Sequence, residues 1–176
     1  KDGKIDAGSI KRFCENFYAD VNHEHMVYPG MVYISQPTEY GTLYSKKELK
    51  EINKVCKEYE LLLFADGARL AYALGSSECD TSLKSIAKLC DVFYIGGTKC
   101  GALLGEAIVF TNKNICKHFF TDMKLFGGVL AKSRVKGIQF DVLFSDGLYE
   151  RLGKTGVDAA MKIKSALIEK GYELYL

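Results

Sequence analysis

Short apolar runs alternate along this chain with longer amphipathic stretches. The segments "MVYIS" (31–35), "LLLFA" (61–65), "DVFYI" (91–95) and "EAIVF" (106–110) are too short for helices and carry consecutive apolar residues, so each predicts a strand. Unbroken runs of this kind, flanked by glycine and charge, fit a parallel sheet covered on both faces. Between them the apolar residues change period. Ile10, Phe13, Cys14 and Phe17 step by three and four and predict a helix over 5–19. Ser45, followed three residues later by Glu48, predicts a capping box opening a helix that carries Leu49, Ile52, Val55 and Cys56. Shorter helices are expected over 68–74, ending at Gly75, over 82–89, near 114–122, and from Val129 into "KSRVKGIQFDVLF". A longer one aligns Val157, Ala160, Ile163, Ala166 and Leu167 on one side, with Gly171 as its C-cap and the start of a strand in "YELYL". The stretches "DVNHEHMVYPG" and "QPTEYGTLY" read as loops. Strand, crossover helix, strand implies a parallel pair with a right-handed connection, and the class is α/β with a mostly parallel sheet.

Composition narrows the function classes. The chain has 176 residues, 48% hydrophobic and 26% charged, enough for one domain with a sizeable core or one domain and a piece of another. A formal net charge of +2 argues for neither nucleic acid nor an anionic membrane as partner. No apolar stretch reaches membrane-spanning length, and the first residues show no signal-peptide pattern. Six cysteines (Cys14, Cys56, Cys79, Cys90, Cys100 and Cys116) lack the short paired spacing of a disulfide scaffold or a zinc site. They read as free thiols in a reducing cytoplasm. His23 and His25 read as a surface loop pair, so no metal is expected.

The candidate chemistry lies between Leu61 and Cys100. Two strands in that stretch end on polar groups, Asp66 and Lys99, just past the carboxyl ends where open α/β sheets place their ligands. Pyridoxal 5'-phosphate needs such a pair: a lysine to form an imine and a carboxylate to keep the pyridine nitrogen protonated. Gly96, Gly97 and Thr98 would let a bulky ring approach the backbone before Lys99. Arg69, three residues beyond Asp66, can present a planar fork to a carboxylate. Local pattern alone leaves other readings open. Asp66 could be the N-cap of the helix beginning at Ala68, and Lys99 a solvated loop lysine. The glycines could also serve a nucleotide, although neither G-x-G-x-x-G nor the Walker pattern is present.

The segments "FADGARLAYAL" and "CDVFYIGGTKCGALLGEAIVF" resemble the low-specificity threonine aldolase and β-eliminating lyase group of fold-type I pyridoxal-phosphate enzymes. The segments "GKIDAGSIKRF", "TEYGTLYSKKELKEINKVCKEYELLLFADGARL" and "KLFGGVLAKSR" extend the resemblance over nearly the whole chain. It implies a fragment of a fold-type I, aspartate aminotransferase-like, mostly parallel sheet flanked by helices. Residues 1–150 would form part of the large cofactor-binding domain and 151–176 the start of a small C-terminal domain. It further implies Lys99 as the Schiff-base lysine, Asp66 on the pyridine nitrogen and Ala68 against the ring face. Arg69 would serve the cofactor's phenolic oxygen and the substrate carboxylate, and Arg134 the phosphate of a neighbouring subunit. Gln36 and Thr38 would border the cofactor. The implied activity is cleavage of a β-hydroxy amino acid such as threonine to glycine and an aldehyde, in amino acid metabolism, by a homodimer or homotetramer. Transamination, β-elimination and a cofactor-free interaction module are the alternatives. The family's phosphate-binding segment, its ring-stacking histidine and a second carboxylate-binding arginine fall outside this stretch, so the fragment alone is expected to be inactive and to bind cofactor weakly or not at all.

Overall fold

A computed structural model describes residues 2–112 and 117–174. It contains a four-stranded sheet in the order β1 (Met31–Ser35), β2 (Leu62–Asp66), β3 (Val92–Ile95) and β4 (Ala107–Phe110). The first three strands are parallel and β4 runs antiparallel to β3. Seven helices connect and flank the strands: α1 (Ala7–Ala19), α2 (Lys46–Glu58), α3 (Leu70–Gly75), α4 (Leu83–Leu89), α5 (Phe119–Leu125), α6 (Arg134–Phe144) and α7 (Leu148–Glu169). The α/β, mostly parallel expectation holds. Cys116 and the start of the helix expected near 114–122 lie outside the described residues.

Local chemistry explains the helix ends. The Asp6 carboxylate accepts from Ser9 N–H at 2.8 Å and caps α1. Both halves of the Ser45–Glu48 capping box form on α2, and Lys4 Nζ reaches the same Glu48 at 2.7 Å. Such a cap satisfies donors that would otherwise have no partner in the first turn. The stripe on α1 buries Ile10, Cys14 and Phe17 but leaves Phe13 exposed.

Two expectations need correction. The sheet is not covered on both faces by the described residues. Val32, Ile34, Leu63, Ala65, Phe93 and Ile95 are buried beneath helices, whereas Met31, Tyr33 and Ile108, on the opposite face, are exposed. The helices of these residues contribute their buried side chains to one core, on one side of the sheet. The second correction concerns α7. Ile163 and its neighbours on the expected stripe are largely exposed, and the helix is anchored near its start by Tyr149 and Gly153. A Cβ on Gly153 would stand 1.8 Å from Ala71 O, and one on Gly75 would stand 2.2 Å from Lys154 N. Glycine therefore lets α7 cross α3 backbone to backbone. Residues 150 and 151, either side of the expected domain boundary, lie in the first turn of α7. Residues 172–174 form no strand; 175 and 176 are outside the described residues.

Candidate active site

Because β2 and β3 are parallel neighbours, their carboxyl ends lie side by side and the turns leaving them meet. Gly96 N–H donates to Gly67 O at 2.8 Å. A Cβ at Gly67 would lie 2.1 Å from Tyr94 O, and one at Gly96 would lie 2.2 Å from Ala68 O. Side chains longer than hydrogen are excluded at both positions. This contact brings the Asp66 turn against the Lys99 turn.

Asp66 ends β2 with a half-buried carboxylate. Oδ1 accepts from Ala68 N–H at 2.9 Å and Oδ2 accepts from the Tyr33 hydroxyl, while the Tyr94 phenol stands close enough to act on the same carboxylate. Burial alone would raise its pKa. The bonds from Tyr33, Tyr94 and Ala68, with the charge of Lys99, outweigh burial and hold it below the usual carboxylate range. Asp66 is therefore ionised at neutral pH. Burial and the Asp66 carboxylate push the Tyr33 phenol up to about 12, and the same causes raise Tyr94, so both remain donors. Asp66 is not the N-cap of the next helix: α3 begins at Leu70 with Arg69 in the cap position. Its bond to the amide two residues on shapes the turn instead.

Lys99 lies in a single 3-10 turn, Thr98–Cys100, after β3. Its side chain is exposed, and its carbonyl accepts from the Tyr72 hydroxyl. The turn is fixed from several sides. Tyr149 Oη donates to Gly96 O at 2.8 Å, and the buried Cys100 thiol lies 3.3 Å from the same oxygen. Glu106 accepts from Gly97 N–H at 2.6 Å and from Thr98 Oγ1 at 2.7 Å. Burial raises the Cys100 thiol, which therefore packs as a neutral side chain rather than a thiolate.

Arg69 stands on the wall of a cleft of about 870 Å³ between the 37–43 loop, α3 and α7, with Tyr72, Leu43 and Val157 also lining it. Its Nη1 is 3.1 and 3.2 Å from the two oxygens of Glu39. Ala68 sits between Asp66 and Arg69 with its amide committed to the carboxylate. Gln36 and Thr38 are buried and support their loop: Gln36 exchanges hydrogen bonds with the backbone of Tyr44, and Thr38 pairs with Thr42. The loop residue that reaches Arg69 is Glu39.

Arg134 is placed apart from this group. It opens α6, is exposed, and has no described contact with Asp66 or Lys99. The structure thus joins the Asp66–Ala68 turn with the Lys99 turn, directs Arg69 to Glu39 in the neighbouring cleft and leaves Arg134 outside. Sequence reading missed Tyr33, Tyr94, Tyr72, Glu39 and Glu106. Strand register holds the missing signal for two of them, since Tyr33 opposes Phe64 two residues before Asp66, and the β2–β3 register brings Tyr94 opposite Asp66. His23 packs edge-on against Phe17 and Tyr18, with Nδ1 2.7 Å from Asp20 O.

Comparison with known proteins identifies the family. The model of the beta-eliminating lyase family matches residues 1–167. The chain belongs to that family. It is 36% identical over 127 residues to a low-specificity L-threonine aldolase of Pseudomonas sp. (strain NCIMB 10558), covering 72% of this chain and 37% of that protein. It is 39% identical over 110 residues to a low-specificity L-threonine aldolase of Pseudomonas aeruginosa, covering 62% and 32%. A solved threonine aldolase structure from Leishmania major superposes with a TM-score of 0.93 at 42% identity, over 99% of this chain and 50% of that one. The fold is therefore fold-type I. The chain spans about a third of the length of the two bacterial relatives and half of the Leishmania chain.

Pyridoxal phosphate is the cofactor of this group, and the site's donors suit it. A carboxylate offers about four acceptor positions, of which the Tyr33 hydroxyl and the Ala68 amide take two. Acceptor capacity is left for a protonated ring nitrogen. The exposed Lys99 side chain is available as the attachment point, and its charge already acts on Asp66.

Proposed function

We propose that this chain carries the lysine and aspartate side of the active site of a pyridoxal-phosphate-dependent lyase, one that cleaves a β-hydroxy amino acid such as threonine to glycine and an aldehyde. The observation that carries the reading is the meeting of the Asp66 and Lys99 turns through Gly67 and Gly96 at the carboxyl ends of β2 and β3. The names and identities of the aldolase relatives support it.

When bound, pyridoxal phosphate supplies an electron sink for the pair released as the Cα–Cβ bond breaks. Lys99 provides the amine to which it attaches. Asp66, ionised and braced by the Tyr33 hydroxyl and the Ala68 amide, holds a proton on the ring nitrogen through a charge-assisted hydrogen bond. Ala68 gives a small flat contact to the ring. Arg69 orients the substrate carboxylate with its planar fork, the geometry lysine lacks. Arg134, exposed at the start of α6, serves the phosphate of a neighbouring subunit in a homodimer or homotetramer. Residues 1–150 belong to the large domain, and 151–176 begin the small one. On this division the 176 residues hold one side of the site and bind the cofactor weakly by themselves. The cysteines Cys14, Cys56, Cys79, Cys90 and Cys100 are unpaired, which fits a reducing cytoplasm. No helix among the described residues is long and apolar enough to cross a membrane.

The products test the reaction. Incubation of the full-length protein with pyridoxal phosphate and threonine is expected to release glycine and acetaldehyde in equal amounts. Release of a keto acid in their place would assign a transamination or a β-elimination on the same fold. Asp66→Ala is expected to retain attached cofactor while turnover falls by at least about a hundredfold, the scale of losing a preorganised charge contact. Unchanged turnover would remove Asp66 from the ring nitrogen.

A further inference from the structure

We propose that Glu106 is the positioning residue for Lys99, clamping the glycine-rich turn that presents the lysine; this rests on the cofactor reading above. The antiparallel register, with Ile95 facing Ala107, carries Glu106 alongside Gly96. From there its two carboxylate oxygens divide between successive residues. Oε2 accepts from Gly97 N–H at 2.6 Å and Oε1 from Thr98 Oγ1 at 2.7 Å. These are the two residues immediately before Lys99. Both distances are short, as expected for charge-assisted bonds.

The turn needs such a clamp. Four glycines (Gly96, Gly97, Gly101 and Gly105) lie within ten residues, and Gly101 and Gly105 have φ of +108° and +79°. Glycine loses more conformational freedom on ordering than any other residue, so a segment of this composition does not hold its own shape. At Lys99 the described bond is to the backbone, where the carbonyl accepts from the Tyr72 hydroxyl, so the turn sets where the exposed side chain starts. The Tyr72 hydroxyl and Tyr149 Oη fix the carbonyls of Lys99 and Gly96, respectively. Glu106 fixes the Gly97 amide and the Thr98 hydroxyl on the other side. A lysine that must meet a bound group within about an ångström needs this second layer. Glu106 acts through Gly97 and Thr98.

The experiment compares Glu106→Ala, Glu106→Gln, Thr98→Val and the double variant Glu106→Ala/Thr98→Val in the full-length protein. Four quantities are read: the rate of covalent pyridoxal phosphate attachment at Lys99 by mass spectrometry after hydride trapping, kcat and KM for threonine, and Gly97 amide exchange without cofactor. Glu106→Ala is expected to slow attachment roughly tenfold or more and to lower kcat with KM little changed, the mark of a misplaced reacting group. Glu106→Gln is expected to stay within about threefold of the parent, because its amide can accept from Gly97 N–H and donate to Thr98 Oγ1. Adding Thr98→Val to Glu106→Ala should slow attachment no further, since both act on one path. Parental attachment in Glu106→Ala, or a Glu106→Gln as slow as Glu106→Ala, overturns the proposal. Should Glu106→Ala fail to fold, Thr98→Val decides, with slowed attachment expected and a parental rate contradicting the clamp. A parent that takes up no cofactor refutes the functional reading instead. The Gly97 amide then judges the clamp: faster exchange in Glu106→Ala but not in Glu106→Gln supports it, and equal exchange in all variants overturns it.

Discussion

Asp66 shows how one residue acquires a defined charge state. Its burial favours the neutral acid, and the donors from Tyr33, Tyr94 and Ala68 reverse that preference. Because its folded pKa lies below its ordinary value, the group stabilises the fold above about pH 4, and that contribution is lost as pH falls through the folded pKa. Tyr33→Phe and Tyr94→Phe each remove one donor, so each is expected to raise the Asp66 midpoint in a carboxyl-carbon NMR titration. A midpoint unmoved in both variants would mean that the phenols do not brace this carboxylate. Asp66 and Lys99 stood out in the sequence because they follow apolar runs, while their roles came from the family resemblance and not from local pattern. The tyrosines did not, because their relation to Asp66 exists only once β1, β2 and β3 are in register. Glu106 was hidden for the same reason, needing the antiparallel return of β4.

At the scale of elements, two kinds of contact hold the site's frame. One is local: the Ser45–Glu48 capping box starts α2, and Ser45→Ala is expected to cost about 1 kcal/mol in urea unfolding. The other is a crossing of backbones, where Gly153 of α7 meets Ala71 of α3, the helix that follows Arg69. Gly153→Ala forces the helices apart and is expected to cost about 1–3 kcal/mol, the range of overpacked sites, with the midpoint falling and the slope retained. A neutral or stabilising Gly153→Ala would contradict the close crossing. The capping box was readable because its residues are three apart in the chain. The α7 anchor was not, because periodicity reports which side of a helix is apolar and not which length of it is covered. Val157 to Leu167 align on one side of the helix, yet the buried packing occurs at Tyr149 and Gly153.

At the scale of the whole molecule, a sheet whose main core lies on one face, with α5 touching the other at the β4 edge through Phe119 and Phe110, places Asp66, Tyr33 and Tyr94 on its more open side, at the end where the β2 and β3 turns converge. The expectation of two covered faces followed from the unbroken apolar runs, and it failed because the described helices share a single core. The α/β class and the parallel pairing across the α2 crossover were readable, since both follow from local runs and the helix between them, whereas the full strand order and the antiparallel return of β4 were not. The central claim concerns Lys99 as the attachment point, and absorbance spectroscopy tests it directly. Full-length protein mixed with pyridoxal phosphate is expected to develop a visible band that sodium borohydride abolishes, and Lys99→Ala, folded by circular dichroism, is expected to show none. A folded parent without the band, or a Lys99→Ala protein with a band of equal strength, would contradict the account.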